Sequence, residues 1–359
     1  MFEDLGLTDW DPRSASVVLG LALGLAFGAL AQFTAFCFRR AVIGPNKAQA
    51  QGIWAAALLS ALIGTQILIW QGWVAFDDHR FFAPDMAWVG LAAGGVIFGA
   101  GMVLTRGCAA RSVVLAGSGN LRSAFVILVF AVTAHATMKG ILSFIPTTLN
   151  SWRLDLGEFT GFAALPGGAP LWAGLLALAL IVISLRARAT PAKIIAALAL
   201  GALVPLAWVG TGFILQDAFD PIETEGLSFT AGATSGIFWV VASTATPANF
   251  AVALLGGTAL GAGILAALRG QFAWVGFETP RQMGRYSLGA ALMGIGGVLA
   301  GGCTIGAGLS GIPTLSFAAL WVLVTITAGA TLMNRALQFS GFSHAAGELT
   351  PTPAPQPAE

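Results

Sequence analysis

The sequence predicts an all-α, polytopic membrane protein with about nine transmembrane helices, some broken or re-entrant, in two pseudo-symmetric halves. Three observations predict it. Hydrophobic residues make up 57% of the 359 positions and charged residues only 9%, against about 25% in ordinary soluble domains. So few charges cannot cover the surface of a soluble globule with polar groups. The apolar residues also fall into runs near the ~20 that a helix needs to cross the hydrocarbon core. Finally, a glycine-rich apolar run carrying a cysteine occurs once in each half: GMVLTRGCAAR at 101–111 and GGCTIGAGLSG at 301–311.

In chain order, residues 1–14 read as a polar N-terminal segment and 15–335 as a single membrane domain, with halves at about 15–165 and 170–335. Residues 340–359 read as a disordered, Pro-rich tail. The expected spans lie near 15–37, 50–73, 88–105, 123–145, 170–185, 194–215, 247–268, 287–303 and 314–334. A further apolar stretch, 229–242, is short for a span and is expected to be re-entrant. The N-terminus lacks the basic region and small-residue cleavage site of a signal peptide, so the first run is expected to be retained.

Loop charge predicts orientation. Arg39, Arg40, Lys47, Arg186, Arg188, Lys193, Arg281, Arg285 and Arg335 all fall on one side of a nine-span chain. Asp77, Asp78 and the acidic segment 217–225 fall on the other. The N-terminus is therefore expected outside and the C-terminus in the cytoplasm. The net charge of +1 gives no overall field that would recruit nucleic acid.

Repetition is weak but visible. Residues 20–36 resemble 257–274, and residues 90–109 resemble 289–308. Similar halves suggest a site at their interface. The sequence is compatible with parallel or inverted halves, and inversion is expected because central sites built from broken helices often arise that way.

Most of the 47 glycines recur at helix-packing spacing, as at Gly20, Gly24 and Gly28, and let neighbouring backbones approach closely. The clusters at 106–120 and 301–311 are too dense for that. Each glycine costs about 1 kcal/mol of helix propensity, so these clusters predict breaks. Unwound backbone survives inside a membrane only where protein buries it or it lines a cavity.

All three cysteines, Cys37, Cys108 and Cys303, sit at such ends or breaks. Their wide spacing signals neither a metal site nor a disulfide scaffold, and neither a metal nor a cofactor is expected. Arg106 and Arg111 flank Cys108, Arg39 and Arg40 follow Cys37, and no charge lies near Cys303 in the sequence. Protonated thiols are weak donors with soft acceptor sulfurs. Such contacts suit a site that must both admit and release a sulfur-bearing anion. Lys139, beside His135 in an apolar run, is a further candidate for charge compensation.

The motifs FCFRRA, TRGCAAR and GGCTIGAGLSG resemble those of the YeeE/YedE family of bacterial inner-membrane proteins, whose best-known members take up thiosulfate. The resemblance covers most of residues 15–335. It implies an hourglass-like helical fold whose broken helices meet at the centre. It also implies a waist where Cys37, Cys108 and Cys303 hold the anion through S–H···S contacts, as a cysteine relay. The site residues expected on both grounds are these cysteines with Arg106, Arg111, Gly107, Gly302 and Thr304. The expected partners are thiosulfate or a related sulfur anion and the lipid bilayer. The alternative is a membrane-embedded thiol enzyme, forming a persulfide or disulfide and passing sulfur to a cytoplasmic sulfur-handling protein. A full-span reading puts Cys108 near the cytoplasmic edge. The glycine density favours a break inside the membrane.

Overall fold

The computed structural model describes residues 11–76, 79–157, 159–216 and 222–339. The tail, most of the N-terminal segment, Asp77, Asp78 and residues 217–221 of the acidic segment lie outside the described residues.

Thirteen α-helices are present among the described residues. They are α1 (Pro12–Thr34), α2 (Phe38–Ile43), α3 (Lys47–Trp70), α4 (Trp88–Leu104), α5 (Ala109–Gly117), α6 (Leu121–Lys139) and α7 (Phe144–Leu149). They continue with α8 (Gly168–Arg186), α9 (Pro191–Val209), α10 (Phe229–Val241), α11 (Phe250–Leu268), α12 (Pro280–Leu299) and α13 (Phe317–Phe339). A short antiparallel ladder pairs β1 (Asp85–Met86) with β2 (Leu154–Asp155) in the loops. Among the described residues, eight segments are long and apolar enough to cross a membrane, and the bent pair Pro280–Leu299 with Thr304–Thr314, counted as one span, makes nine. The chain is a multi-pass membrane protein, and the large exposed side chains, such as Ile63, Ile67, Leu128, Leu175 and Ile264, form its lipid-facing belt. The stretch expected to be re-entrant is α10, which at 13 residues is too short to span.

The repeat is inverted. α1 packs on α11, and α9 packs on α3. α4 packs on α13, and α12 packs on α6. α2 lies on α3 and α13, while α10 lies on α11 and α6. Exchanging α1, α2, α3, α4 and α6 with α9, α10, α11, α12 and α13 therefore reproduces the pattern. α4 and α12 run antiparallel, because Gly94 meets Ala300 while Gly101 meets Gly289. Counterpart helices thus point in opposite directions. This revises the sequence pairing of 20–36 with 257–274. Those segments are α1 and α11, which pack side by side; similar glycine spacing reflects a shared packing surface rather than equivalent places in the halves. The pairing of 90–109 with 289–308 does join true counterparts.

The glycine stripes act as expected. Gly24 lies against Leu254 and Thr258, and a β-carbon at Gly28 would overlap the Thr258 carbonyl. Replacing Gly28 by leucine must push α1 off α11, and overpacking of this kind costs about 1–3 kcal/mol. A lower thermal midpoint of the detergent-purified protein is expected. At Gly256 on α11 a β-carbon would meet no atom within 4 Å, so Gly256→Leu should leave that midpoint nearly unchanged.

Candidate functional site

Three helix breaks share one local construction. α1 ends with Ala35 at φ 52°, and Cys37 then starts α2. α4 ends at Thr105, Arg106 takes φ 60°, and Cys108 starts α5. α12 ends at Ala300, Gly301 takes φ 65°, and Cys303 starts the π-helical turn Thr304–Gly311. Each break places a left-handed residue two positions before a cysteine, and the cysteine caps the next helical segment in an extended conformation. The left-handed residue closes the preceding helix, as where Phe36 N–H donates to the Ala31 carbonyl and Gly302 N–H to the Gly297 carbonyl. Such a conformation suits glycine but costs alanine or arginine roughly 1 kcal/mol. α10 is capped by Ser228, whose Oγ accepts from Ala231 N–H at 3.4 Å. By the helix exchange, Ser228 stands where Cys37 stands in the other half.

The caps converge. All three cysteines are free and buried, with Cys303 fully inaccessible. The Cys37 and Cys108 thiols are within hydrogen-bonding reach of each other. Thr304, the residue after Cys303, neighbours the Cys108 thiol. Its hydroxyl is buried without a conventional hydrogen bond. The breaks that follow α1, α4 and α12 thus lie together. Trp54 walls the break at Cys37, stacking on Phe36 with centroids 5.1 Å apart and meeting Phe38 edge-on at 4.9 Å. These rings clamp the residues on either side of Cys37. Gly107 and Gly302 serve the breaks themselves: Gly107 lies beside Arg111 and Ser112, and Gly302 beside Gly306 and Ala307. The π-helical turn is held from outside by Ser310 Oγ donating to the Leu227 carbonyl at 3.1 Å. Gln66 Nε2 donates to the Pro313 carbonyl at 2.7 Å.

The two arginines expected beside Cys108 part company. Arg111 faces the Cys37 and Cys108 thiols and donates to Gln32 Oε1 at 3.4 Å. Arg106 instead neighbours Arg39 and Arg285. The charge near Cys303 comes from Arg80, on the loop before β1, which no sequence feature singled out. Lys139 does not supply it: it lies exposed at the end of α6. His135 stacks on Phe238, with centroids 5.3 Å apart.

Arg80 opens onto a cavity of about 600 Å³ lined by His79, Glu225, Ser228, Gly306 and Ser310 among others. Trp208 forms one wall, meeting Phe76 at 4.9 Å and His79 at 5.5 Å. Trp54 and Trp208 are therefore walls of these sites. The Thr211 hydroxyl donates to the Glu225 carbonyl at 2.9 Å and accepts from Glu225 N–H at 3.0 Å, pinning the loop to the end of α9. Glu225 Oε2 is buried without a hydrogen-bond partner. Burial first, and then neighbouring Glu223, pushes the Glu225 carboxyl up to about 7, against the opposing pull of Arg80. Burial first, and then Arg80, lowers His79 to about 4, so it is neutral at physiological pH. No three His, Cys, Asp or Glu side chains among the described residues group as metal ligands.

An arginine-bearing cavity, the buried thiols at the helix breaks and a second cluster of arginines thus follow one another through the bundle. A family model described as sulphur transport matches residues 27–332. The chain is 28% identical over 320 residues to the thiosulfate transporter TsuA of Spirochaeta thermophila, covering 83% of this chain and 92% of that protein. It is 26% identical over 319 residues to the thiosulfate transporter TsuA of Escherichia coli K12, covering 82% and 86% respectively. The family match begins within α1 and ends within α13, spanning all three cysteine breaks, and on it this chain belongs to the sulphur transport family.

Proposed function

We propose that this protein is a permease that takes up thiosulfate, or a closely related small sulfur anion, across the bacterial inner membrane. The observation that supports the reading is that the Cys37 and Cys108 thiols meet, with Thr304, the residue after the third break cysteine Cys303, beside them, next to an arginine-bearing cavity. Arg80 meets the anion's charge in the cavity. Cys303, then Cys108 and Cys37, contact its terminal sulfur through S–H donors weak enough to release it. The N-termini of α5 and of the π-helical turn add partial positive charge at the waist. In this reading the N-terminus is periplasmic, the C-terminus is cytoplasmic, and the 600 Å³ cavity faces the periplasm. A cytoplasmic sulfur-handling protein receives the anion.

The test is growth and radiolabelled uptake in cells lacking other sulfur-anion importers. The intact chain is expected to restore entry of thiosulfate and not of sulfate. Absence of thiosulfate entry, with the protein present in the membrane, refutes the reading.

A further inference from the structure

On the side of the break cysteines away from the 600 Å³ cavity, three guanidinium groups lie within electrostatic range of one another. Arg39 lies within electrostatic range of both Arg106 and Arg285, and Arg285 of Arg106. The group lies far from the cavity, since Arg285 is in the second turn of α12 and the Cys303 break is at the other end of that helix. At 1.5 Å per residue those points are about 20 Å apart.

Three features call for an anion. First, like charges this close repel, and none of the described groups acting on Arg39 or Arg285 is a carboxylate; the others are Cys37 and Tyr286. The nearby Glu278 is already taken, accepting from Arg122 at 2.8 Å. Second, Nε of Arg39 and Nε of Arg285 are both buried without an acceptor, a costly state for a charged donor. Each neighbouring cation has an acceptor, Arg40 donating to the Ala35 carbonyl at 3.1 Å and Arg111 to Gln32 Oε1 at 3.4 Å, while the guanidinium of Arg285 lies over the Tyr286 ring and meets its side chain. Third, Arg106 holds the left-handed conformation that glycine holds at the equivalent place in the other half, Gly301. A strained arginine where glycine would be relaxed is accounted for if its side chain is needed there.

We propose that Arg39, Arg106 and Arg285, with the Tyr286 ring beside them, form a second anion site for a small divalent oxyanion, selected by charge and not by sulfur. Planar guanidinium forks match the oxygens of such an anion, and no thiol of the waist is needed to hold it. The inference rests on the transport reading only in naming thiosulfate as the anion that leaves through this site. Sulfate or phosphate from the cytoplasm has the same chemistry and competes for it.

The experiment is calorimetric titration of the full-length protein in lipid nanodiscs with sodium thiosulfate, sulfate and phosphate, against chloride at equal ionic strength. Sulfate is expected to bind at one site. The Arg39→Gln/Arg285→Gln variant is expected to weaken sulfate at least tenfold, whereas Arg39→Lys/Arg285→Lys, which keeps the charge, weakens it less. Size-exclusion profiles and residual thiosulfate binding at the waist report that the variants are folded. Sulfate heats no larger than those of chloride, or sulfate binding unchanged in the Gln variant, overturn the proposal. Thiosulfate binding that is lost in the Gln variant, with no sulfate binding in the wild type, overturns selection by charge. Failure here with normal thiosulfate uptake leaves the transport reading standing, and loss of uptake in the wild type refutes that reading instead.

Discussion

Cys108→Ser and Cys303→Ser are each expected to lower the initial rate of thiosulfate uptake at least tenfold at unchanged protein level. A tenfold loss corresponds to about 1.4 kcal/mol, within reach of one exchanged contact in a closed site. Serine keeps a donor but is smaller and harder, so the loss would isolate sulfur as the required atom. The sequence ranks Cys37 below the other two because its motif, FCFRRA, is the weaker signature. Its thiol nevertheless meets that of Cys108 directly, so Cys37→Ser is expected to cost as much as Cys108→Ser. Uptake within twofold of wild type in all three variants would show that the thiols only pack. The adjacency of Cys37 and Cys108 also bears on the thiol-enzyme alternative, which would leave a covalent adduct during turnover. Mass spectrometry of protein quenched during uptake is expected to find both thiols unmodified.

Thiosulfate uptake is expected to be half-saturated at lower concentration at pH 6 than at pH 8, by roughly 3- to 10-fold, with the change centred near 7. The sign follows from the pair. Above about 7 Glu225 is ionised and offsets Arg80 inside the cavity. Below it the carboxyl is neutral, and the guanidinium charge is left for the anion. Glu223 lowers the local potential throughout, and Arg13 reaches the adjoining cavity beside both glutamates. His79 at about 4 stays neutral across the window and contributes nothing to the change. Glu225→Gln should therefore show the low-pH behaviour at pH 8. Arg80→Gln should lose at least tenfold at both pH values, with partial recovery in Arg80→Lys. A pH profile that is the same in wild type and Glu225→Gln would remove Glu225 from the account.

Much of the fold and part of the site are written locally in the chain. Spans such as Lys47–Trp70 and Phe317–Phe339 follow from apolar length alone, because the bilayer demands a fixed thickness and internally satisfied backbone. The breaks at Cys108 and Cys303 follow from glycine density, a matter of a few residues' backbone preference. The full-span count that put Cys108 near a membrane edge gives way because the apolar segment runs on through the break, from Trp88 to Gly117.

The rest depends on chain segments remote from one another. Arg80 approaches Cys303 from a loop between α3 and α4, and nothing in the local sequence distinguishes it from a solvated loop arginine. Arg106 and Arg111 look equivalent around Cys108, yet the turn of the break sends one to the Arg39 cluster and the other to the thiols. The pairing of Cys37 with Cys108, and the match of Ser228 to Cys37, exist only once the two halves interlock. Residue order alone therefore specifies a many-span helical membrane protein, broken where its cysteines lie, because span length and backbone breaking are short-range properties. Which charges serve which thiol, and how the halves are inverted, emerge only on folding, because close approach of helices sets those neighbours and sequence distance does not.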